Sequence, residues 1–155
     1  MKSSRVLFVL LCFAGGAPAM AQVGVVKRNP STVAPPIGAY SHIAVVPPGH
    51  RLLFVAGQVG NRPDGTVGKT VEEQAVQALE NVRLVLAAEG AKPSDIVKLT
   101  VYAAARPADM AIISAKRAEL FAEGMPPAIT WVYVSGLARP EYLIEVEAIA
   151  AVPAG

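Results

Sequence analysis

One cysteine, two histidines and one tryptophan stand in 155 residues, and each scarcity removes a class of chemistry. The cysteine, Cys12, falls in the first 21 residues, which read as a cleavable leader. Lys2 and Arg5 form its basic start, residues 6–13 an apolar run, and Ala19-Met20-Ala21 a small-residue cleavage site before Gln22. A chain cut after Ala21 is periplasmic or secreted, and it has neither a disulfide nor a thiol nucleophile despite an oxidising destination. His42 and His50 have no ligand pattern around them, so no metal is expected. The apolar run falls well short of the roughly 20 residues a membrane helix needs, so no membrane attachment is expected after cleavage. Charge of one sign is missing too. Loss of Lys2 and Arg5 takes the basic residues from 14 to 12, against 12 acidic ones. That balance, without a basic cluster, argues against a nucleic-acid partner. The glycosylation-like Asn29-Pro30-Ser31 is barred by its proline.

What is present suits one domain, residues 37–155, behind a polar, proline-containing lead-in at 22–36 that can contribute an edge strand. Apolar runs at 42–46 and 51–58, joined by Pro47-Pro48-Gly49-His50, read as a hairpin. Thr70 and Glu73 form a capping box for a helix that buries Val71, Ala75, Ala78, Leu79, Val82, Val85 and Leu86 and stops at Gly90. Residues 96–104 are β-branched and strand-like. Pro107 opens a second helix with Met110, Ile113, Leu120 and Phe121 inward, ending at Gly124. Strands at 128–135 and 142–152 complete the order ββαβαββ, an α+β fold with two helices on one face of a mixed sheet.

Two helices cover only one face, yet several strands are apolar on both. Leu52, Phe54 and Ala56 oppose Leu53, Val55 and Gly57, and the strand through Ile129, Trp131 and Tyr133 is similar. Strands apolar on both sides are buried on both sides, so the open face is expected to pack on another subunit. The last strand carries the chemistry. Ile144, Val146 and Ala148 share one face, while Leu143, Glu145, Glu147 and Ile149 share the other. Two carboxylates beside Ile149 make neither a plain core nor a plain solvent face.

Several local patterns coincide: Ile37-Gly38-Ala39-Tyr40-Ser41-His42, Phe54-Val55-Ala56-Gly57-Gln58, Gln77-Ala78-Leu79-Glu80-Asn81-Val82, and Pro127-Ala128 leading to Ile144-Glu145-Val146-Glu147-Ala148-Ile149-Ala150. In order and spacing they resemble the RidA/YjgF/UK114-type family, over about residues 37–152. The resemblance implies a chorismate-mutase-like (YjgF-like) fold, a homotrimer, and small-molecule clefts between subunits. It also implies hydrolysis of enamines or imines to a carbonyl compound and ammonia without cofactor or metal. By position, Tyr40 would flank the ligand, Gly57 would present main-chain groups to it, and Glu147 would orient or deprotonate the attacking water. Acid–base work of that kind suits a carboxylate in an apolar-walled cleft.

The departures concern the substrate. Where the family's deaminases carry an arginine for the substrate carboxylate this chain has Ile129, which makes no charge-assisted contact. Trp131 stands where cysteine is common and narrows the cleft. Ser114 stands near an asparagine that often helps hold the ligand. Arg139 is the arginine available as a substitute grip. Each residue also has a plainer reading. Glu147 and Glu145 could be structural carboxylates, Tyr40 a loop anchor, Gly57 a strand irregularity, Ile129 and Trp131 interface core, and His42 a satisfied strand histidine. Two functions therefore stand: an exported trimeric imine hydrolase with an altered substrate, or a non-catalytic trimer that binds a small molecule or partner in the same clefts.

Overall fold

The computed structural model describes residues 24–154; the candidate leader, Cys12 and the cleavage site lie outside the described residues. Its centre is a four-stranded sheet of β3 (His50–Val59), β6 (Ile144–Pro153), β4 (Ile96–Ala103) and β5 (Ala128–Tyr133), in that order. β6 runs antiparallel to both neighbours, while β4 and β5 are parallel and connected through α2 (Met110–Leu120). α2 packs on α1 (Val71–Ala88), which lies against β3 and β6. Both helices thus cover one face of the sheet, as the apolar patterning predicts.

Alternation decides that face. Ile144, Val146, Ala148 and Ala150 of β6, with Leu99, Val101 and Ala103 of β4, are buried beneath α1 residues Ala75, Ala78, Leu79, Val82 and Leu86. Val85 departs from the predicted face of α1 and Met110 from that of α2, each 41% exposed, Met110 being the first residue of its helix. At about 100° per residue Val85 falls between buried Ala78 and Gln74, but it lies in the last turns of α1, where its neighbours are Asn61, Arg62 and Pro63 and not the sheet. Leu143 also departs from expectation. It precedes the strand and packs against the core instead of joining the carboxylate face.

Local signals set the helix ends. The Thr70 hydroxyl accepts the Glu73 amide at 3.2 Å, but the Glu73 carboxylate accepts from Lys69, at 2.7 Å, so the predicted box closes one residue early. Gly90 adopts φ 70°, a left-handed stop that costs glycine little. α2 begins at Met110, later than Pro107, because the Asp109 carboxylate caps Ala111 at 2.8 Å. Glu72, in the first turn of α1, accepts the Asp109 amide at 2.9 Å and so ties the two helix starts together.

The predicted hairpin does not form. β2 (Ile43–Val45) pairs with β1 (Val26–Arg28) of the lead-in, and β3 pairs with β6. Pro47 and Pro48 lack the amide hydrogens a ladder would need, and the chain turns away through Gly49 at φ 77°. A buried amide then fastens the site-bearing strand to α1. Gln74, 1% exposed, donates to Gly68 O at 2.8 Å and Glu141 O at 2.9 Å and accepts Leu143 N at 2.8 Å. Gly60 packs flat on it: a methyl group at Gly60 would sit 2.5 Å from Gln74 Cα.

Two outcomes follow from these contacts. Gly60→Ala should destabilise by about 1–3 kcal/mol in urea titration, since backbone must move to admit the methyl group. Acid should also loosen the helix layer. The Asp109 amide holds the Glu72 carboxyl below its ordinary value, and hydrogen bonds from Arg83 and then Lys116 do the same for Glu80. A depressed folded pKa gives stability that is present above the ordinary value of 4.5 and is lost as pH falls through the folded value. Glu72→Gln should flatten the fall in melting temperature between about pH 5 and pH 3.

Candidate active site on the open face of the sheet

The residues that alternate with the core ones point away from the helices. Along β6 these are Glu145, Glu147 and Ile149; along β4 they are Lys98, Thr100 and Tyr102. Register places Thr100 opposite Glu147 and Tyr102 opposite Glu145. On the other side of β6, Phe54 stands opposite Ile149, three-quarters exposed. Phe54, Ala56, Lys98, Thr100, Glu147 and Ile149 wall a shallow cleft of about 320 Å³. The Glu147 side chain is therefore set among apolar groups, the Thr100 hydroxyl and the Lys98 ammonium.

The two carboxylates have different partners. The Tyr102 hydroxyl donates to Glu147 Oε1 at 3.0 Å. That bond, together with partial burial and the negative charges of Glu147 and Glu145, pushes the Tyr102 phenol above its ordinary value of 10.0. Tyr102 thus keeps its proton and fixes one oxygen of Glu147, on the wall of the cleft. Glu145 lies over Gly57 instead: a methyl group there would fall 1.8 Å from Glu145 Oε1. The carboxylate occupies the space that the missing side chain leaves, beside the irregularity in β3 between Val55 and Gln58.

The other predicted residues gather elsewhere. Ile129 pairs with buried Leu99, and Ile129 and Trp131 pack half-buried against the core on the helix side of β5. Trp131 Nε1 is buried without a hydrogen-bond partner. Tyr40, half-buried, stacks edge-on against His42 with ring centres 5.5 Å apart. Its loop is fastened to the start of β5: Ser41 donates through Oγ to Pro126 O at 2.7 Å and through N to Pro127 O at 2.9 Å. Ser114 is exposed on α2. Arg139 is exposed too, 3.8 Å from Glu141.

A single chain therefore splits the predicted site. Glu147 and Gly57 lie near the β3 edge of the sheet, while Tyr40, Ile129 and Trp131 lie at the β5 edge. Sequence reading missed Tyr102 and Lys98. Their signal was available in β4, where Lys98, Thr100 and Tyr102 alternate with apolar residues in step with Glu145 and Glu147. Among the described residues, no three histidine, cysteine or acidic side chains cluster as a metal site, and no helix is long and apolar enough to cross a membrane.

A mixed sheet backed by two helices, with a strand-borne carboxylate on its bare face, is a YjgF/Rid-type α+β fold. The chain belongs to the family described as Endoribonuclease L-PSP, whose model matches residues 31–152. It is similar to a RutC family protein of Pyrococcus horikoshii, 38% identical over 117 residues, 74% of this chain and 88% of that one. A 2-iminobutanoate/2-iminopropanoate deaminase of Salmonella typhimurium is 37% identical over 102 residues, 64% of this chain and 78% of the enzyme. Among solved structures, a conserved Rid-family protein of unknown function from Yersinia pestis superposes with a TM-score of 0.76 at 34% identity, covering 84% of this chain and all of that one. These relatives support an imine deaminase or a related function at the level of the family.

The Tyr102–Glu147 bond makes a direct prediction. With tyrosine labelled at Cζ, the NMR titration midpoint of Tyr102 should lie above 10.0 and fall back toward it in Glu147→Gln. A midpoint indifferent to that substitution would break the pairing.

Proposed function

We propose that this protein is a cofactor-free hydrolase of small reactive enamines or imines, acting as a homotrimer. Glu147 carries the reading: a carboxylate in an apolar-walled cleft, with one oxygen held by Tyr102 and the other free for water. Water adds to the imine carbon as Glu147 takes its proton, and the C=N π electrons move to nitrogen. Glu147 returns that proton to nitrogen to give the carbinolamine, then takes the hydroxyl proton and passes it to the same nitrogen; the C–N bond breaks with its electrons on nitrogen, and ammonia leaves as the carbonyl forms. General acid–base help of this kind is worth about 10²–10⁴-fold.

The split between the two edges of the sheet supports the trimer. Placing the β5 edge of one copy against the β3–β6 side of the next brings Tyr40, Ser114, Ile129 and Trp131 to Glu147 and Gly57. It also covers Phe54, Leu52 and Ile37, which stand 75%, 47% and 99% exposed. Ile129 at the edge offers shape but no charge, so any charged contact to a substrate has to come from another residue of the cleft. The family's nuclease description transfers poorly, since this cleft has one lysine and an acid and no basic track for a phosphate backbone. Export belongs to the same reading, with a mature chain starting at Gln22. A second reading is a non-catalytic trimer that binds a metabolite or partner in the same clefts. Glu145 favours it, because its carboxylate already covers Gly57.

Three measurements test these statements. Ammonia release from freshly generated imines should be accelerated by the wild type and fall by about 10²-fold or more in Glu147→Gln. No acceleration across the panel would leave the binding reading. Sedimentation should give a trimer, and a stable monomer would remove the shared cleft. N-terminal sequencing of the chain exported by its host should begin at Gln22.

A further inference from the structure

Lys98 is the cation that the cleft leaves unspent. It lies on β4 two residues from Thr100, a strand repeat of about 7 Å, on the face that carries Glu147. Its ammonium donates to the Thr130 hydroxyl on neighbouring β5, which holds the side chain over the open face. Among the described residues the ion pairs use Arg51, Arg83, Lys116 and Arg139 and leave Lys98 out. Glu147, on the wall of the same cleft, is held by Tyr102 instead. An ammonium has three donors, so two remain after Thr130. A lysine half-sheltered in a largely apolar cleft, sharing its wall with Glu147 but forming no ion pair with it, can receive an anion. Arg139, the arginine that the sequence offers for this task, is turned to Glu141.

We propose that Lys98 is the anion-binding residue of the cleft, holding the carboxylate of an imino acid or its keto product while Glu147 serves the reacting carbon. The inference rests on the reading of this face as the substrate cleft and adds the group that selects charged over neutral substrates. Thr130 is a positioning residue in it, steering the ammonium. Lysine acts as a point charge and not as a two-pronged fork, so the grip sets charge preference more than ligand orientation.

The test measures binding of 2-oxobutanoate and of its neutral counterpart 2-butanone to the full mature chain by ligand-observed NMR. Wild type should prefer the anion, and Lys98→Met should erode that preference by about tenfold or more, the scale of one charge-assisted hydrogen bond. Lys98→Arg should restore it, and Thr130→Val should weaken it partway. Melting temperatures certify that each variant folds. A preference that survives Lys98→Met in a folded protein overturns the proposal, as does a wild type without any preference. Ammonia release from the same preparations separates the two readings. A wild type that hydrolyses no imine, yet whose anion preference depends on Lys98, keeps this site and removes the hydrolytic function. An active wild type indifferent to Lys98 does the reverse.

Discussion

Ile144, Val146, Ala148 and Ala150 are sealed beneath α1, at 0–2% exposure, and their burial decides which way every other side chain of β6 points. A slip of one residue would turn the carboxylates into the core and the apolar residues outward, and the cost of burying two unpaired acids forbids it. Register is locked from two further directions. β3 and β4 flank β6 with antiparallel ladders, and the Gln74 side chain grips the backbone at Glu141 and Leu143 just before the strand begins. The position of Glu147 is therefore a by-product of core packing, held by groups that never face the cleft.

The same strand gives its two acids different surroundings without any change of residue type. Glu147 lies within reach of a phenol on β4, whereas Glu145 lies over a glycine on β3. A residue with a side chain at Gly57 would displace the Glu145 carboxylate, and one without a hydroxyl at Tyr102 would leave Glu147 Oε1 free. Neighbouring strands, two or three residues at a time, convert a repeated Glu-x-Glu into a cleft-facing acid and a covered one.

Edge position matters as much as alternation. β3 and β5 terminate the sheet on opposite sides, so residues that the chain spaces closely in function stand far apart in one protomer. Ile129 and Trp131 turn to the helix side of β5, with the indole Nε1 buried and unpartnered, and Tyr40 rides on a loop pinned to Pro126 and Pro127. Phe54 and Ile37, large and exposed, mark the surfaces that an assembly would have to cover. The proposed cleft is thus a property of packing between copies, and the proposed anion grip at Lys98 comes from the part of it that one copy already builds.

Much was legible from local chemistry. Alternation along residues 144–150 separated core from carboxylate face, helical spacing located α1 and α2, and Thr70 and Gly90 marked the limits of α1. These are short-range signals, written by periodicity and backbone preference. The failures were long-range or marginal. Pro47 and Pro48 suggested a turn between paired strands, yet β2 took its partner from the lead-in, because pairing is a choice among distant segments. Val85 shares a helical face with buried Gln74 and Ala78 yet stands exposed, because spacing along a helix does not say what packs over each of its turns. By itself the sequence determined which residues of β6 from Ile144 to Ile149 line each face, since a period of two admits only two answers where no bulge interrupts it. Only the tertiary structure decided which strands became neighbours, and so joined Tyr102 to Glu147, laid Glu145 on Gly57 and left Lys98 facing the cleft, because register between strands is set by the whole core at once.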